Sequence, residues 1–350
     1  MTKYKNAQKW LNLQYPNKDQ VETIEFDSEL KFEQSSELII NDYPNLKEIQ
    51  KNYIRTGVSS LKLTKITISN CPQLETVCID SFKNFQELIL NNLPNLKKIS
   101  CSHNSLTEVK FTNAGEKLEH LDLSNNNFSQ DLSFLSHLIN LEELDLRRNN
   151  FVGSLEYLKK INKLKKLVIS STYIDSGLEY LSDSLEDFYC SAGQKEDAKS
   201  KVIYNLFAGG KTPTETEEWD EKIKNLPQNL HDYKQWRSLD FSEEEIKQWI
   251  NAGFTLNDYE DANQFKKEGY RQNIPVEEII EKESWKDIHL DFNYQLRKKW
   301  EKINFTKQKT KEWINSNGVG PDCYSLAGLA SRDKQTEEKF RKVIHIPPKG

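Results

Sequence analysis

The sequence holds 350 residues, of which 36% are hydrophobic and 29% charged, with a formal net charge of −5 at pH 7. Including glycine, the apolar share is about 40%, below the roughly 45–50% of ordinary globular chains, which argues against one large hydrophobic core. The 16 Phe, 14 Tyr and 7 Trp are too many for a disordered chain. The composition therefore favours a thin, elongated architecture in which each unit buries little surface.

Charge, hydropathy and cysteine content also exclude several classes of protein. The acidic balance argues against a general nucleic-acid or anionic-membrane binder, and no apolar run approaches the roughly 18 residues of a membrane span. The lysine-containing N-terminal stretch lacks a continuous apolar core, so we expect no secretory signal. Five cysteines, an odd number, favour free thiols in a reducing compartment over a disulfide framework. These features predict a cytoplasmic protein.

The first 20 residues are expected to form a capping helix. Its N-cap would be Asn6, and Trp10, Leu11 and Leu13 would cover the first unit of the repeat that follows.

A leucine repeat follows over residues 21–193. The segments LEHLDLSNNNF (118–128) and LEELDLRRNNF (141–151) share the pattern L-x-x-L-x-L-x-x-N-x-F, and degenerate copies begin at residues 74, 96, 164 and 185. L-x-L places two apolar side chains on one face of a short strand. The Asn at 104, 126 and 149 follows that strand, where its amide can bond the backbone of adjoining turns. One such coil cannot bury its face alone, so the copies are expected to stack.

This pattern resembles the leucine-rich repeat family over residues 21–193. The resemblance implies an α/β solenoid with parallel strands on one face and an irregular or short-helix outer side. A second L-x-x-I-x-I phase, in LTKITI (63–68), FQELIL (85–90) and LTEVKF (106–111), predicts strands on both sides of those coils. From residue 128 onward the second half of each coil predicts short helices instead.

The exposed strand positions of the solenoid are the candidate partner-binding site. The predicted binding residues are His120, Asp122, Glu143, Asp145, Arg147, Lys166 and Tyr189. An alternative is that lysines and carboxylates of neighbouring coils pair with each other and only keep the surface soluble. The two interpretations are compatible, and both remain open at this point.

Residues 231–330, beyond a C-cap and linker at 194–230, follow another pattern. An aromatic residue followed five positions later by a second aromatic occurs four times: Trp236–Phe241, Trp249–Phe254, Phe265–Tyr270 and Trp300–Phe305. A fifth copy, Trp313–Val319, is longer by one residue and ends on valine. Ser242 with Glu245 predicts a capping box, Thr306 a second N-cap, and Gly253 a helix C-terminus. We expect an all-α array of short helices held by buried aromatics, then a tail at 331–350. It resembles short W-x-x-x-G-[FY]-[ST] helical repeats, a resemblance that implies no activity.

The sequence carries no catalytic or metal-binding motif, and its six histidines lack metal-ligand spacing. We therefore expect a non-enzyme with no cofactor, metal or small-molecule substrate. One alternative is a ubiquitin ligase of the type that follows a leucine-rich array, with Cys323 as nucleophile. Those enzymes carry acidic residues after the cysteine, whereas Tyr324 and Ser325 follow Cys323.

A second alternative rests on the basic strip at residues 297–311, which holds seven Lys or Arg against one Glu. Such a strip, with Lys298, Lys299, Lys309 and Lys311, could meet nucleic acid or an acidic partner. It could also pair with the acidic segments at 215–221 and 243–245, and the prediction disfavours nucleic acid. The sequence as a whole predicts a protein-binding scaffold that uses the solenoid strand face, with the helical tail as a second docking element.

Overall fold

The structure is a computed structural model that describes residues 3–27, 30–51, 62–192, 195, 197–207, 223, 226–272, 275–317 and 320–330. The chain divides into two units, Met1–His231 and Asp232–Gly350. The acidic segment at 215–221 and the predicted tail at 331–350 lie entirely outside the described residues.

The first unit is built from short parallel strands. In chain order, the described part contains β1 (Lys3–Tyr4), β2 (Thr23–Phe26), β3 (Lys31–Phe32), β4 (Ser36–Asn41), β5 (Glu48–Lys51), β6 (Leu63–Ser69), β7 (Thr76–Cys78), β8 (Glu87–Leu93), β9 (Lys98–Ser100), β10 (Glu108–Ala114), β11 (His120–Asp122), β12 (Glu143–Asp145), β13 (Val152–Ser154), β14 (Lys166–Val168), β15 (Tyr173–Ser176) and β16 (Asp187–Tyr189).

One strand from each coil joins the main sheet, whose order is β2-β5-β7-β9-β11-β12-β14-β16, all parallel. The central apolar residue of each strand pairs in register with its neighbours and is buried. This column contains Ile49, Val77, Ile99, Leu121, Leu144, Leu167 and Phe188. The aligned column confirms the predicted solenoid, because only stacked coils bring residues about 22 positions apart into one row.

The outer side of the solenoid changes along its length, as the two sequence phases predict. A second parallel sheet, β4-β6-β8-β10, covers the early coils. From residue 128 onward, 3₁₀ turns at Ser133–Leu135, Leu155–Leu158 and Leu178–Tyr180 replace it. The early coils therefore carry a four-stranded sheet on their outer side, whereas the later coils carry 3₁₀ turns and the short parallel pair β13–β15.

A ladder of buried asparagines joins neighbouring coils. Asn126 accepts a hydrogen bond from the Leu106 amide through Oδ1 (2.9 Å), and its Nδ2 donates to the carbonyls of Cys101 (2.8 Å) and Leu123 (2.9 Å). Asn104 and Asn149 make equivalent bonds one coil earlier and one coil later. The predicted role of this residue is confirmed: it satisfies buried backbone groups that no strand ladder reaches.

Both ends of the solenoid are covered by a helix. At the start, α1 (Ala7–Gln14) is capped by Asn6, and its Trp10 packs against Phe26 with ring centroids 5.0 Å apart. The prediction for Leu13 was wrong, since its side chain is 59% exposed. Leu13 lies about 120° around the helix from the buried face, which faces the first coil. At the other end, α2 (Ser200–Phe207) packs against β15.

The second unit is helical. Its helices are α3 (Leu226–Ser238), which begins just before the unit boundary, α4 (Glu243–Asn251), α5 (Tyr259–Gln272), α6 (Val276–Ser284), α7 (Tyr294–Lys302), α8 (Lys307–Asn317) and α9 (Tyr324–Ala330). The Ser242–Glu245 capping box is present, and Thr306 accepts from the Lys309 amide. Both predicted caps are confirmed.

Three helices of this unit end in one local structure. In each, the residue before the second aromatic is left-handed: Asp240 (φ 59°), Gly253 (φ 92°) and Asn304 (φ 61°). The next amide, of Phe241, Phe254 or Phe305, donates back to the carbonyl of Trp236, Trp249 or Trp300 at 3.1–3.3 Å. This is a Schellman motif with its usual apolar contact. Here the contact is an edge-to-face packing of the Trp and Phe rings, whose centroids are 4.7–5.1 Å apart. In these three copies, the two aromatic residues five positions apart thus mark a helix C-terminus.

One copy of the aromatic pattern does not follow this rule. Between Phe265 and Tyr270 the chain stays helical, because α5 runs through Gly269 to Gln272. Phe265 instead packs against Phe254 and Tyr294 of other elements. In this copy the aromatic spacing therefore does not mark a helix end, and Gly269 lies inside the helix. The last copy ends at Val319, outside the described residues.

Candidate partner-binding face

The exposed face of the main sheet contains a concave pocket of about 490 Å³ that crosses β9, β11, β12 and β14. Six of the seven predicted binding residues line it: His120, Asp122, Glu143, Asp145, Arg147 and Lys166. Tyr189 is not among the lining residues; it pairs in register with Val168 on the neighbouring strand β16.

Strand register orders these residues into two rows. In the first row His120 pairs with Lys98 on one side and with Glu143 on the other, and Lys166 follows Glu143. In the second row Asp122 and Asp145 stand side by side. Neighbouring strands are about 4.8 Å apart, so each row presents charges at that spacing along the solenoid axis.

The adjacent aspartates, Asp122 and Asp145, differ in the groups that their carboxylates bind. Asp145 forms an ion pair with Arg147 at 2.8 Å and accepts from the Arg147 amide at 3.1 Å. Asp122 accepts from the Ser124 amide through Oδ1 (2.8 Å), while its Oδ2 accepts no hydrogen bond from the described residues. Burial, and then the neighbouring charge of Asp122, raises the pKa of Asp145 to about 6 despite the Arg147 guanidinium.

A row of charges beside the pocket pairs within the solenoid. Ion pairs join neighbouring coils: Lys47 to Glu22 (2.9 Å), Lys97 to Glu75 (3.0 Å) and Lys165 to Glu142 (2.7 Å). This is the self-pairing alternative, realised in one row. In contrast, Lys98 and Lys166 form no ion pair with any residue that the structure describes. Within the described part of the chain, the pocket therefore has a cation without an ion-pair partner at each end.

The predicted binding residues did not include two polar residues of the pocket, Lys98 and Ser100. They occupy in LKKISCSHNSL (96–106) the positions that His120 and Asp122 occupy in the next copy. The phase of the repeat would have found them, because register carries each exposed position onto its neighbour.

Cys323 does not have the environment of a nucleophile. Its thiol lies beside Asp322, with Sγ 3.8 Å from Oδ1, at the end of a short 3₁₀ turn. Burial and the Asp322 carboxylate raise the pKa of this thiol, which disfavours the reactive thiolate.

Among the described residues, three of the seven Lys and Arg side chains of the basic strip at 297–311 form ion pairs within the helical unit. Lys298 pairs with Asp258 (2.9 Å) and Asp261 (3.2 Å), and Lys307 pairs with Asp287 (2.7 Å). Arg297 contacts Glu283 and Glu301. Of the predicted acidic partners, Glu243 and Glu245 pair with Lys247 and Lys266 instead, and residues 215–221 lie outside the described residues.

Neither a membrane-spanning helix nor a metal site is present in the described part of the chain. No helix there has the length and apolar character needed to cross a bilayer. Within the same residues, no group of three or more His, Cys, Asp or Glu side chains is arranged to hold a metal ion.

Family models for leucine-rich repeats match the centre of the chain. A model described as leucine rich repeats (2 copies) matches residues 94–137, and a single leucine rich repeat model matches residues 140–160. These segments contain β9, β11 and β12, three of the four pocket strands. A comparison with curated proteins gives no match.

Solved structures give distant likenesses. A leucine-rich repeat protein of Leptospira interrogans is 19% identical over 53% of this chain and 57% of that chain (TM-score 0.26). The ectodomain of the Arabidopsis thaliana receptor kinase SOBIR1 is 24% identical over 33% of this chain and 60% of its own (TM-score 0.19). A chain of the LRIM1/APL1C complex is 12% identical over 97% of this chain and 81% of its own (TM-score 0.33). The chain thus spans about three fifths of the first two structures.

Proposed function

Because leucine-rich repeat models match residues 94–137 and 140–160, we propose that this chain is a non-catalytic scaffold that binds a protein partner through its strand face. Proteins with such repeats generally bind protein partners, and the family models indicate no enzymatic family. The binding face comprises His120, Asp122, Glu143, Asp145, Arg147, Lys166 and Tyr189, together with Lys98 and Ser100. The solenoid, residues 21–193, is the binding module.

The pocket across four strands is the observation that carries this proposal. Its side chains project from strands fixed by register pairing and by the asparagine ladder. A rigid array loses little conformational entropy on binding, so many modest contacts add up to useful affinity. The raised pKa of Asp145, which follows from its burial beside Asp122, supports the proposal, because binding sites often contain such perturbed carboxylates.

The proposal also includes the cellular location of the protein and the role of its helical unit. All five cysteines are free thiols, which supports a reducing, cytoplasmic environment. Residues 231–330 form a second docking element, separated from the solenoid by the cap and linker at 194–230. We infer that the partners of this element are proteins and not nucleic acid; the pairing of Lys298 and Lys307 with carboxylates of the same unit, which lowers the positive charge of the basic strip, supports this.

The proposal is tested with two charge-conserving variants of the full chain. The strand-face variant carries Asp122→Arg with Lys166→Glu. The control carries Glu108→Lys with Lys110→Glu, which inverts an exposed ion pair on the outer sheet. Quantitative capture from the source cells should recover partners with wild type and control that the strand-face variant loses at least tenfold. Equal recovery by both variants would refute the strand face as the binding surface.

A further inference from the structure

The charges of the pocket specify a pattern in the partner. We propose that the strand face receives an extended peptide segment of the partner with the order acidic–x–basic–x–acidic, lying along the solenoid axis. This inference rests on the proposed function and names the chemistry of the partner at that same face.

The two ends of the pocket are cationic. Lys98 on β9 is exposed and Lys166 on β14 is half-buried, and neither forms an ion pair among the described residues. Lysines of the adjacent row, Lys97 and Lys165, are already satisfied by Glu75 and Glu142. Among the described residues of the pocket, Lys98 and Lys166 at its two ends are therefore the counter-charges available to acidic groups of a ligand.

The middle of the pocket is anionic. Asp122 and Asp145 are adjacent, and the single guanidinium of Arg147 is bound to Asp145. Asp122 Oδ2 is left without a donor from the described residues. Glu143 lies in the neighbouring row with His120, at 3.6 Å from its Nδ1. A basic side chain of the ligand would donate to Asp122 Oδ2 and relieve the repulsion between the two aspartates.

The spacing of these charges suits an extended chain. Three strand steps of about 4.8 Å separate Lys98 from Lys166, or roughly 14 Å, with the aspartates near the middle. Four residues of extended chain at about 3.4 Å each cover the same roughly 14 Å, and side chains i, i+2 and i+4 point to one side. A long Arg or Lys at i+2 reaches across to the row of Asp122 and Asp145.

The test uses two peptides with identical composition and net charge. One is Gly-Glu-Ser-Arg-Ser-Glu-Gly; the control, Gly-Arg-Ser-Glu-Ser-Glu-Gly, moves the basic residue to one end. Each is titrated into the full chain while the His120 imidazole signals are followed by NMR. We expect the first peptide to bind about fivefold more tightly or better, which corresponds to one or two correctly placed exposed ion pairs. Lys98→Glu with Lys166→Glu should reverse or abolish this preference.

The outcomes separate this inference from the proposed function. A preference for the first peptide that disappears in the Lys98→Glu, Lys166→Glu variant supports the inference. Such weak ion pairs imply dissociation constants of about 1 mM. Equal binding of the two peptides, or no binding at peptide concentrations up to about 20 mM, overturns the inference. The capture experiment with the strand-face variant still decides whether the face binds a partner, whichever way the peptides behave.

Discussion

Asp145 shows most clearly how the strand face departs from a merely soluble surface. Its side chain is 15% exposed and lies beside a second carboxylate, so burial and repulsion outweigh the ion pair with Arg147. The pKa of Asp145 is therefore raised to about 6 in the folded chain, against about 3.9 when unfolded. The folded state binds this proton more tightly, so stability falls as pH rises from about 4 to 6.

We predict that Asp145→Asn stabilises the chain at pH 7.5. The amide keeps a hydrogen-bond acceptor for the Arg147 amide but carries no charge. The gain should be at most about 3 kcal/mol, and the decline in stability between pH 4 and 6 should flatten. Chemical unfolding at several pH values measures both effects.

Glu186→Gln is the control, since Glu186 is an exposed carboxylate of the same sheet. It should change stability by less than about 0.5 kcal/mol. A strong loss of stability in Asp145→Asn at pH 7.5 would show that the Arg147 pair outweighs the cost of burying Asp145.

The asparagine ladder gives a second prediction at this scale. Asn126→Ala removes an amide that satisfies the Leu106 N–H and the Cys101 and Leu123 carbonyls. Leaving these buried groups unpaired should cost about 2–4 kcal/mol. The neighbouring Asn127 is exposed, so Asn127→Ala should cost less than about 0.5 kcal/mol. Thermal unfolding compares the two, and equal losses would refute the ladder as a source of stability.

At the scale of elements, one phenylalanine ends one helix and begins the next. Phe241 is the apolar contact of the Schellman motif that closes α3. It also immediately precedes Ser242, the N-cap of α4, where it serves as the hydrophobic staple with buried Ile246. Sharing one side chain between two helix ends keeps the connection short and fixes the entry of α4.

The left-handed residue of this motif can be tested with opposite substitutions. Asp240 has φ 59°, a conformation that glycine adopts without strain, so Asp240→Gly should stabilise the helical unit by about 0.5–1 kcal/mol. Gly253→Ala should destabilise it by about 2 kcal/mol or more, because φ is 92° and a Cβ would overlap Asn293.

Tryptophan fluorescence during urea unfolding follows this unit, since Trp236, Trp249 and Trp300 are fully buried there. Destabilisation by Asp240→Gly would show that its side chain contributes more than the backbone strain costs.

Helices and strands could be predicted from the sequence where several local signals agree. The capping box at Ser242 and the strand phase at 63–111 could be identified because spacing alone determines them. The contact of Phe265 with Tyr294 could not be predicted, since it joins residues far apart in the chain. The pairing of Lys298 with Asp258, 40 residues away, was equally out of reach. In the candidate site, periodicity identified six lining residues, while the unpaired state of Lys98 and Lys166 needed coordinates.

At the scale of the molecule, the solenoid separates stability from recognition. Buried columns such as that of Leu121 and Leu144 hold the coils together. The alternate positions, His120 and Asp122 among them, face away from that core, so their side chains can be changed without disturbing it. One row of charges pairs internally, and the next remains available, so the same sheet is both soluble and able to bind.

Lysine reactivity in the presence of a captured partner tests this account most directly. Lys98 and Lys166 lie in the proposed face, and Lys110 on the outer sheet is an internal reference. Acetylation of the full chain is measured by mass spectrometry with and without the partner. The account predicts that Lys98 and Lys166 become several-fold less reactive while Lys110 stays unchanged. Protection of Lys110 with unaltered reactivity at Lys98 and Lys166 would contradict it.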